Sequence, residues 1–248
     1  MSRLFIDIET VPAYSEFRKV PDNLADLFIS RFKSEVEKGE LLEDIWNKKA
    51  SLHAEFNKVV CISMGAITAK SESIKIKSLC GHDEKKIISD FADIALQISS
   101  MVAHNGIEFD FPVLMRKMII HQVSVPPVLN TMDKKPWEVN LYDTMKMWSG
   151  TAWNYKVSLA LLAETLGLPS PKVDIDGAKV GEIYWKSFES DGMEPDVEIA
   201  MEGIEHAKKL ALEKIQRYCQ GDVYTLINVY QLMKFLPVYS EEQIMYQL

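Results

Sequence analysis

Two carboxylates set two residues apart, Asp7 and Glu9, lie inside the apolar run Phe5-Ile6-Asp7-Ile8-Glu9-Thr10. In a strand, alternate side chains share a face, so these two acids project together. Such a pair repels itself and loses hydration, a cost that a bound cation offsets. A strand face that is simply wet is the plainer alternative. Two later segments carry further candidates. In His104-Asn105-Gly106-Ile107-Glu108-Phe109-Asp110, the aspartate stands just ahead of a helix with Pro112 in its first turn, a position open to an N-cap or to a ligand. In Tyr218-Cys219-Gln220-Gly221-Asp222, the tyrosine and the aspartate are four apart and share one helical face. Four carboxylates are hard oxygen donors of the kind that suit Mg²⁺ or Mn²⁺.

The elements that must position these side chains follow from periodicity. Residues 3–10 read as a buried strand stopped by Val11-Pro12. From about 22 to 56 the apolar spacing turns helical, giving a helical insertion between strands. Val59–Ile67 and Ser73–Leu79 read as two strands, the second alternating isoleucine with lysine. Helix is expected over 83–99, a short strand at Met101–Ala103, and helix again over 111–120. A weaker strand precedes Asp143, helices follow over 158–166 and 177–188, and a long helical region spans about 196–235 with a break near Glu213. That order implies a mixed sheet with helices on both faces. Composition shows no break that divides the chain, so one domain spanning 1–248 is expected.

Taken together, the three acidic segments resemble the DEDD superfamily of 3′→5′ exonucleases, a ribonuclease H-like α/β fold with a mixed five-stranded sheet. Tyr218, four residues before Asp222, resembles the tyrosine-type branch; five residues before that aspartate stands Arg217 and not the histidine of the other branch. Within that branch the chain looks most like stand-alone relatives of the proofreading domain of family-B DNA polymerases. Supporting segments include Glu55–Ser63, Lys134–Val139, Tyr142-Asp143-Thr144 and Lys172–Gly177. The helical insertion and the lack of a polymerase portion set it apart from the attached proofreading domain.

The resemblance implies metal-dependent hydrolysis of phosphodiester bonds from the 3′ end of single-stranded DNA, releasing nucleoside monophosphates. Asp7, Glu9, Asp110 and Asp222 would hold two Mg²⁺ or Mn²⁺ ions, which in such sites lie roughly 3.5–4 Å apart. Tyr218 would orient the attacking water, because a phenol with a pKa near 10 is a poor base at neutral pH. Thr10, Val11, Asn105 and Phe109 would meet the substrate. Asp143 reads as an N-cap or as a support for the acids. Lys135 and Trp137 combine charge with an aromatic, as strand tracking requires, and surface lysines beside a packed tryptophan fit equally. Lys156 and Lys172 share that ambiguity.

Bulk properties narrow the class. A net charge of −8 over 248 residues argues against a module that coats nucleic acid through basic surface. It leaves room for an enzyme that holds a short stretch through bound cations and a few lysines. No run reaches the roughly 18 apolar residues of a membrane helix. Three cysteines, an odd count without metal-like spacing, read as reduced thiols in a cytoplasmic protein. Alternatives are an RNA-trimming exonuclease, a nucleic-acid-binding module with a silent site, and an ordinary α/β protein whose acids are caps. A replication or repair partner fits the resemblance without being identified by it.

Overall fold

A computed structural model of the chain describes residues 3–68, 70, 72–152, 155–168, 177–188 and 197–247. In chain order its elements begin with β1 (Arg3–Pro12), followed by the helices α1 (Asp22–Arg31), α2 (Lys33–Glu37) and α3 (Leu42–Lys49). Next come β2 (Asn57–Ile67), β3 (Ile74–Cys80), α4 (Glu84–Ala95), β4 (Ser100–Ala103) and α5 (Asp110–Ile120). The remainder is β5 (Leu141–Asp143), α6 (Thr144–Ser149), α7 (Leu159–Thr165), α8 (Val180–Lys186), α9 (Val197–Met233) and β6 (Ile244–Gln247). Among the described residues, no helix is long and apolar enough to cross a membrane.

The chain divides into two compact units. The first comprises Met1–Glu9, Val60–Asp174 and Lys214–Leu248; the second comprises Thr10–Val59 and Ile175–Glu213.

The first unit holds a mixed sheet in the order β5-β4-β1-β2-β3-β6. β4 runs parallel to β1 and to β5, β3 antiparallel to β2, and β6 parallel to β3. Among the described residues the sheet thus has six strands, one more than the five expected from sequence. The addition is β6, delivered by a turn sewn onto α9. Asn228 accepts the Tyr239 N–H at 2.8 Å and donates to its carbonyl at 3.0 Å, while the Tyr224 hydroxyl donates to the same carbonyl at 2.8 Å. A four-residue strand that follows a long helix and depends on such tertiary bonds has no local signature.

α9 is a single helix from Val197 to Met233, without the break expected near Glu213. Its second half covers one face of the sheet. Phe5, Ile74, Ile76 and Val102 pack there with Val223, Ile227 and Tyr230, and burying each such side chain contributes about 1.5–3 kcal/mol. The approach is close because β2 offers Gly65, where an added Cβ would lie 2.6 Å from Val223 Cγ1. Leu4, Ile6 and Ile8, which alternate with Phe5, are buried too, so both faces of β1 are covered. Cys61 and Cys80 oppose each other across β2 and β3 and are joined as a disulfide, leaving Cys219 as the free cysteine. The structure differs there from the expectation of three reduced thiols.

The second unit has its own core. Phe28, Phe32, Ile45, Trp46 and Phe56 are buried together, with Tyr14 and Phe17 packed against them. Trp46 keeps its indole N–H satisfied by donating to the Tyr14 carbonyl at 3.0 Å, which lets a polar aromatic fill an apolar centre. Trp185 likewise donates to the Pro12 carbonyl at 3.0 Å.

Candidate active site

Alternation along β1 puts Asp7 and Glu9 on the face where Phe5 meets Tyr230 of α9, their rings 5.3 Å apart. The helix runs back along the strand, so the acidic continuation of that face meets an earlier turn of α9. Cys219 marks the meeting point: its thiol lies 3.2 Å from Asp7 Oδ2 and 3.3 Å from the Asp7 carbonyl oxygen. Asp7, Glu9 and Cys219 offer ligand atoms that all fall within 4.8 Å of one another. One turn of helix brings Tyr218 and Asp222 to the same side, and the Tyr218 hydroxyl donates to the Asp222 carboxylate.

Asp110 joins them from the start of α5. It is the first helical residue, with Phe109 in the N-cap position ahead of it, so the N-cap place expected for it is taken by its neighbour. Its carboxylate accepts from its own main-chain N–H and from that of Ile8, the β1 residue between Asp7 and Glu9. The loop ahead of it is tightly set. Asn105 is left-handed at φ 59°, and Gly106 has no room for a side chain, since a Cβ would come 2.3 Å from Ala103 Cβ. Asp143, only 2% exposed, accepts the main-chain N–H groups of Asn105 and Ile107 at 2.9 and 3.2 Å. The same carboxylate caps α6 by accepting from Met145 and Lys146. The N-cap expected for it is therefore present, and the same carboxylate also holds the loop that carries Asn105.

The electrostatics follow from four acids crowded together, Glu9 and Asp110 buried and Asp7 and Asp222 half-buried. Burial, then Asp222, Glu9 and Asp110, push the Asp7 pKa well above its usual range. Burial, then Asp222 and Asp110, do the same to Glu9. Burial raises Asp110 to about 7, with Asp143 adding to the rise and the main-chain hydrogen bonds opposing it. Burial raises Asp222 to about 6, against the hydrogen bond from Tyr218. Tyr218 is itself pushed upward by burial and by Asp222, Glu9 and Asp7, so it stays a neutral hydroxyl. The Cys219 thiol is raised by burial and then by Asp7 and Glu9, which keeps its proton on sulfur and makes it a donor to Asp7, not a thiolate ligand. Nothing local in the sequence marks this cysteine as part of the site, for its partner is 212 positions away.

The other candidates divide. Asn105 Oδ1 is buried without a hydrogen-bond partner, and Phe109 is partly buried beside Asp110. Thr10 and Val11 continue β1 and belong to the second unit; both side chains are buried, and the Thr10 hydroxyl donates to the Ser51 carbonyl at 2.7 Å. Lys156 is paired with Glu108 at 3.0 Å. Lys135 and Trp137 sit beyond α5 on an exposed segment. Lys172 lies outside the described residues.

Residues 49–192 match the family described as predicted 3′–5′ exonucleases related to the exonuclease domain of PolB. That stretch includes Asp110 and Asp143 but not the acids at 7, 9 and 222. No curated protein matches the chain. Among solved structures, the family B DNA polymerase from the hyperthermophilic archaeon Pyrobaculum calidifontis matches with a TM-score of 0.53 at 18% identity. The match covers 95% of this chain and 24% of the polymerase, so the chain spans about a quarter of that protein's length. At that identity the likeness speaks to the fold, which is the ribonuclease H-like arrangement of the polymerase's exonuclease domain. The chain belongs to the family of predicted 3′–5′ exonucleases related to the exonuclease domain of PolB.

Proposed function

We propose that the chain is a metal-dependent 3′→5′ exonuclease that shortens single-stranded DNA and releases nucleoside monophosphates, with residues 1–248 acting as one nuclease domain. The observation that carries this reading is the gathering of Asp7, Glu9, Asp110 and Asp222 from two strand positions and two helices, each with its proton affinity raised by burial. Mutually repelling buried acids cost stability that a bound cation offsets. Their oxygen-only donor set fits Mg²⁺ or Mn²⁺, and Cys219, held as a neutral thiol, does not alter it. The four carboxylates would hold two such ions. When bound, the ions supply an activated water and charge neutralisation at the attacking and leaving oxygens.

The protein groups divide the remaining work. Tyr218 stays a neutral donor on the turn that carries Asp222, which suits it to orient a water and not to remove its proton. Asn105, on the loop just ahead of Asp110, would contact the substrate strand. Thr10 and Val11 offer main-chain groups beside Glu9 to the terminal 3′-hydroxyl. Asp143 holds the loop that carries Asn105 in shape. The test is a 5′-labelled single strand incubated with Mg²⁺ and sampled in time, with DNA and RNA of matched sequence run side by side. A ladder descending from the 3′ end, faster on DNA, is expected. Endonucleolytic fragments, or no cleavage of either strand, would contradict it.

A further inference from the structure

Immediately beyond Asp110, the start of α5 borders a hollow of about 270 Å³ walled by Ile107, Phe111, Pro112 and Leu141, with Lys134 and Lys135 at its rim. It is smaller than the roughly 300–1,000 Å³ of pockets that enclose a whole drug-sized ligand, a size that suits one flat ring system. The Lys135 ammonium stands 5.3 Å from the centre of the Trp137 ring. That ring is 76% exposed, although tryptophan is buried on average in folded proteins. Neither lysine forms an ion pair among the described residues, and the hollow has no acid in its lining. Asp133 and Glu138 balance the two lysines along the segment, the Glu138 carboxylate accepting the Lys135 main-chain N–H at 2.8 Å, while the two ammonium groups stand at the rim of an apolar slot beside an exposed aromatic.

We propose that this hollow and Trp137 form a strand subsite for single-stranded nucleic acid. One base of the strand enters the slot against Phe111 and Pro112. Lys134 and Lys135 meet the phosphates that flank it, and Trp137 stacks a neighbouring base. Charge complementarity selects this occupant: stacking surface interleaved with lysine is what a sequence-tolerant strand path requires, and the slot lies on the helix that begins with a catalytic acid. The subsite rests on the exonuclease reading and deepens it, since it lets the enzyme hold a strand away from the 3′ end while its net charge repels nucleic acid elsewhere.

The test compares a labelled twelve-nucleotide DNA single strand with a dinucleotide, using wild type, the double variant Lys134→Ala/Lys135→Ala, and Trp137→Ala. All three positions are exposed, so folding is expected to survive. With Mg²⁺, the advantage in kcat/KM that wild type shows for the longer strand should fall about tenfold in either variant, through KM, as loss of one stacked base implies. With Ca²⁺ in place of Mg²⁺, anisotropy of the labelled strand should show weaker binding. The double variant should also reduce the salt slope by about 0.7 for each phosphate it no longer neutralises, a readout that general loosening would not move. Equal losses on both substrates, an unchanged salt slope, or binding of an acidic peptide in preference to the strand would overturn the subsite. A wild-type protein that binds the strand through these residues but cuts neither substrate would support the subsite and sink the exonuclease reading.

Discussion

The Cys219 thiol points its proton at Asp7 Oδ2 across 3.2 Å, tying the middle of α9 to the acid strand. A buried neutral donor at that place fixes the carboxylate's orientation without removing its charge. Partners of this kind behind metal ligands typically change metal affinity by 10–100-fold when removed. Cys219→Val should therefore weaken Mn²⁺ binding, measured by calorimetry, by roughly tenfold. Cys219→Ser, which keeps a donor, should stay within a few-fold of wild type. Equal affinity in the valine variant would show that the thiol only fills space.

Raised carboxylate pKa values make the metal-free protein less stable as pH rises. Asp110 titrates at about 7 and Asp222 at about 6 when folded, against about 3.9 for an unfolded aspartate. Between those values the folded state binds more protons than the unfolded one, so stability falls with increasing pH. The penalty is absent below the unfolded pKa, builds up through the folded ones and is complete above them. Thermal melts of metal-free protein from about pH 5 to about pH 8 should fall more steeply for wild type than for Asp110→Asn. Added Mg²⁺ should raise the melting temperature more at the upper end than at the lower, because the ligands must lose their protons to bind it. Parallel curves for the two proteins would contradict the assignment.

Asp143 binds four main-chain N–H groups, those of Asn105, Ile107, Met145 and Lys146. Replacing it with alanine strands donors on two segments at once. The expected loss is about 3 kcal/mol in denaturant unfolding, with activity reduced through the loop that carries Asn105. A loss under roughly 1 kcal/mol would mean that water takes over the vacated bonds.

Tyr218→Phe removes the hydroxyl that donates to Asp222 and leaves the ring in place. Positioning of water should suffer, with kcat reduced by about 10–100-fold while Mn²⁺ affinity holds. A matching drop in metal affinity would instead assign the hydroxyl to holding Asp222.

Much of this arrangement was legible because local pattern and tertiary use coincide. Alternation in Phe5–Glu9 gives both the strand and its acidic face, and isoleucine-lysine alternation in β3 gives one buried and one outward side. The helical spacing around Phe28, Ile45 and Trp46 gives the core of the second unit. What stayed hidden depends on partners remote in sequence. Asp110 reads locally as a cap because the Ile8 main chain lies some hundred residues earlier. Cys219 reads as one more reduced thiol because Asp7 opposes it from the other end of the chain. Cys61 and Cys80 read as separate thiols until β2 and β3 are in register. β6 has too few residues to declare itself without the bonds from Asn228 and Tyr224.

The central claim is that one cluster of carboxylates, with Asp7 in its midst, performs the hydrolysis. Its most direct test is the rate of nucleotide release from the 3′ end of single-stranded DNA in Mg²⁺ for wild type and Asp7→Asn, with folding of both verified by thermal melts. A fall of about a thousandfold, roughly 4 kcal/mol of barrier, is the predicted result. A folded Asp7→Asn variant that works within about threefold of wild type, well under 1 kcal/mol, would contradict the account.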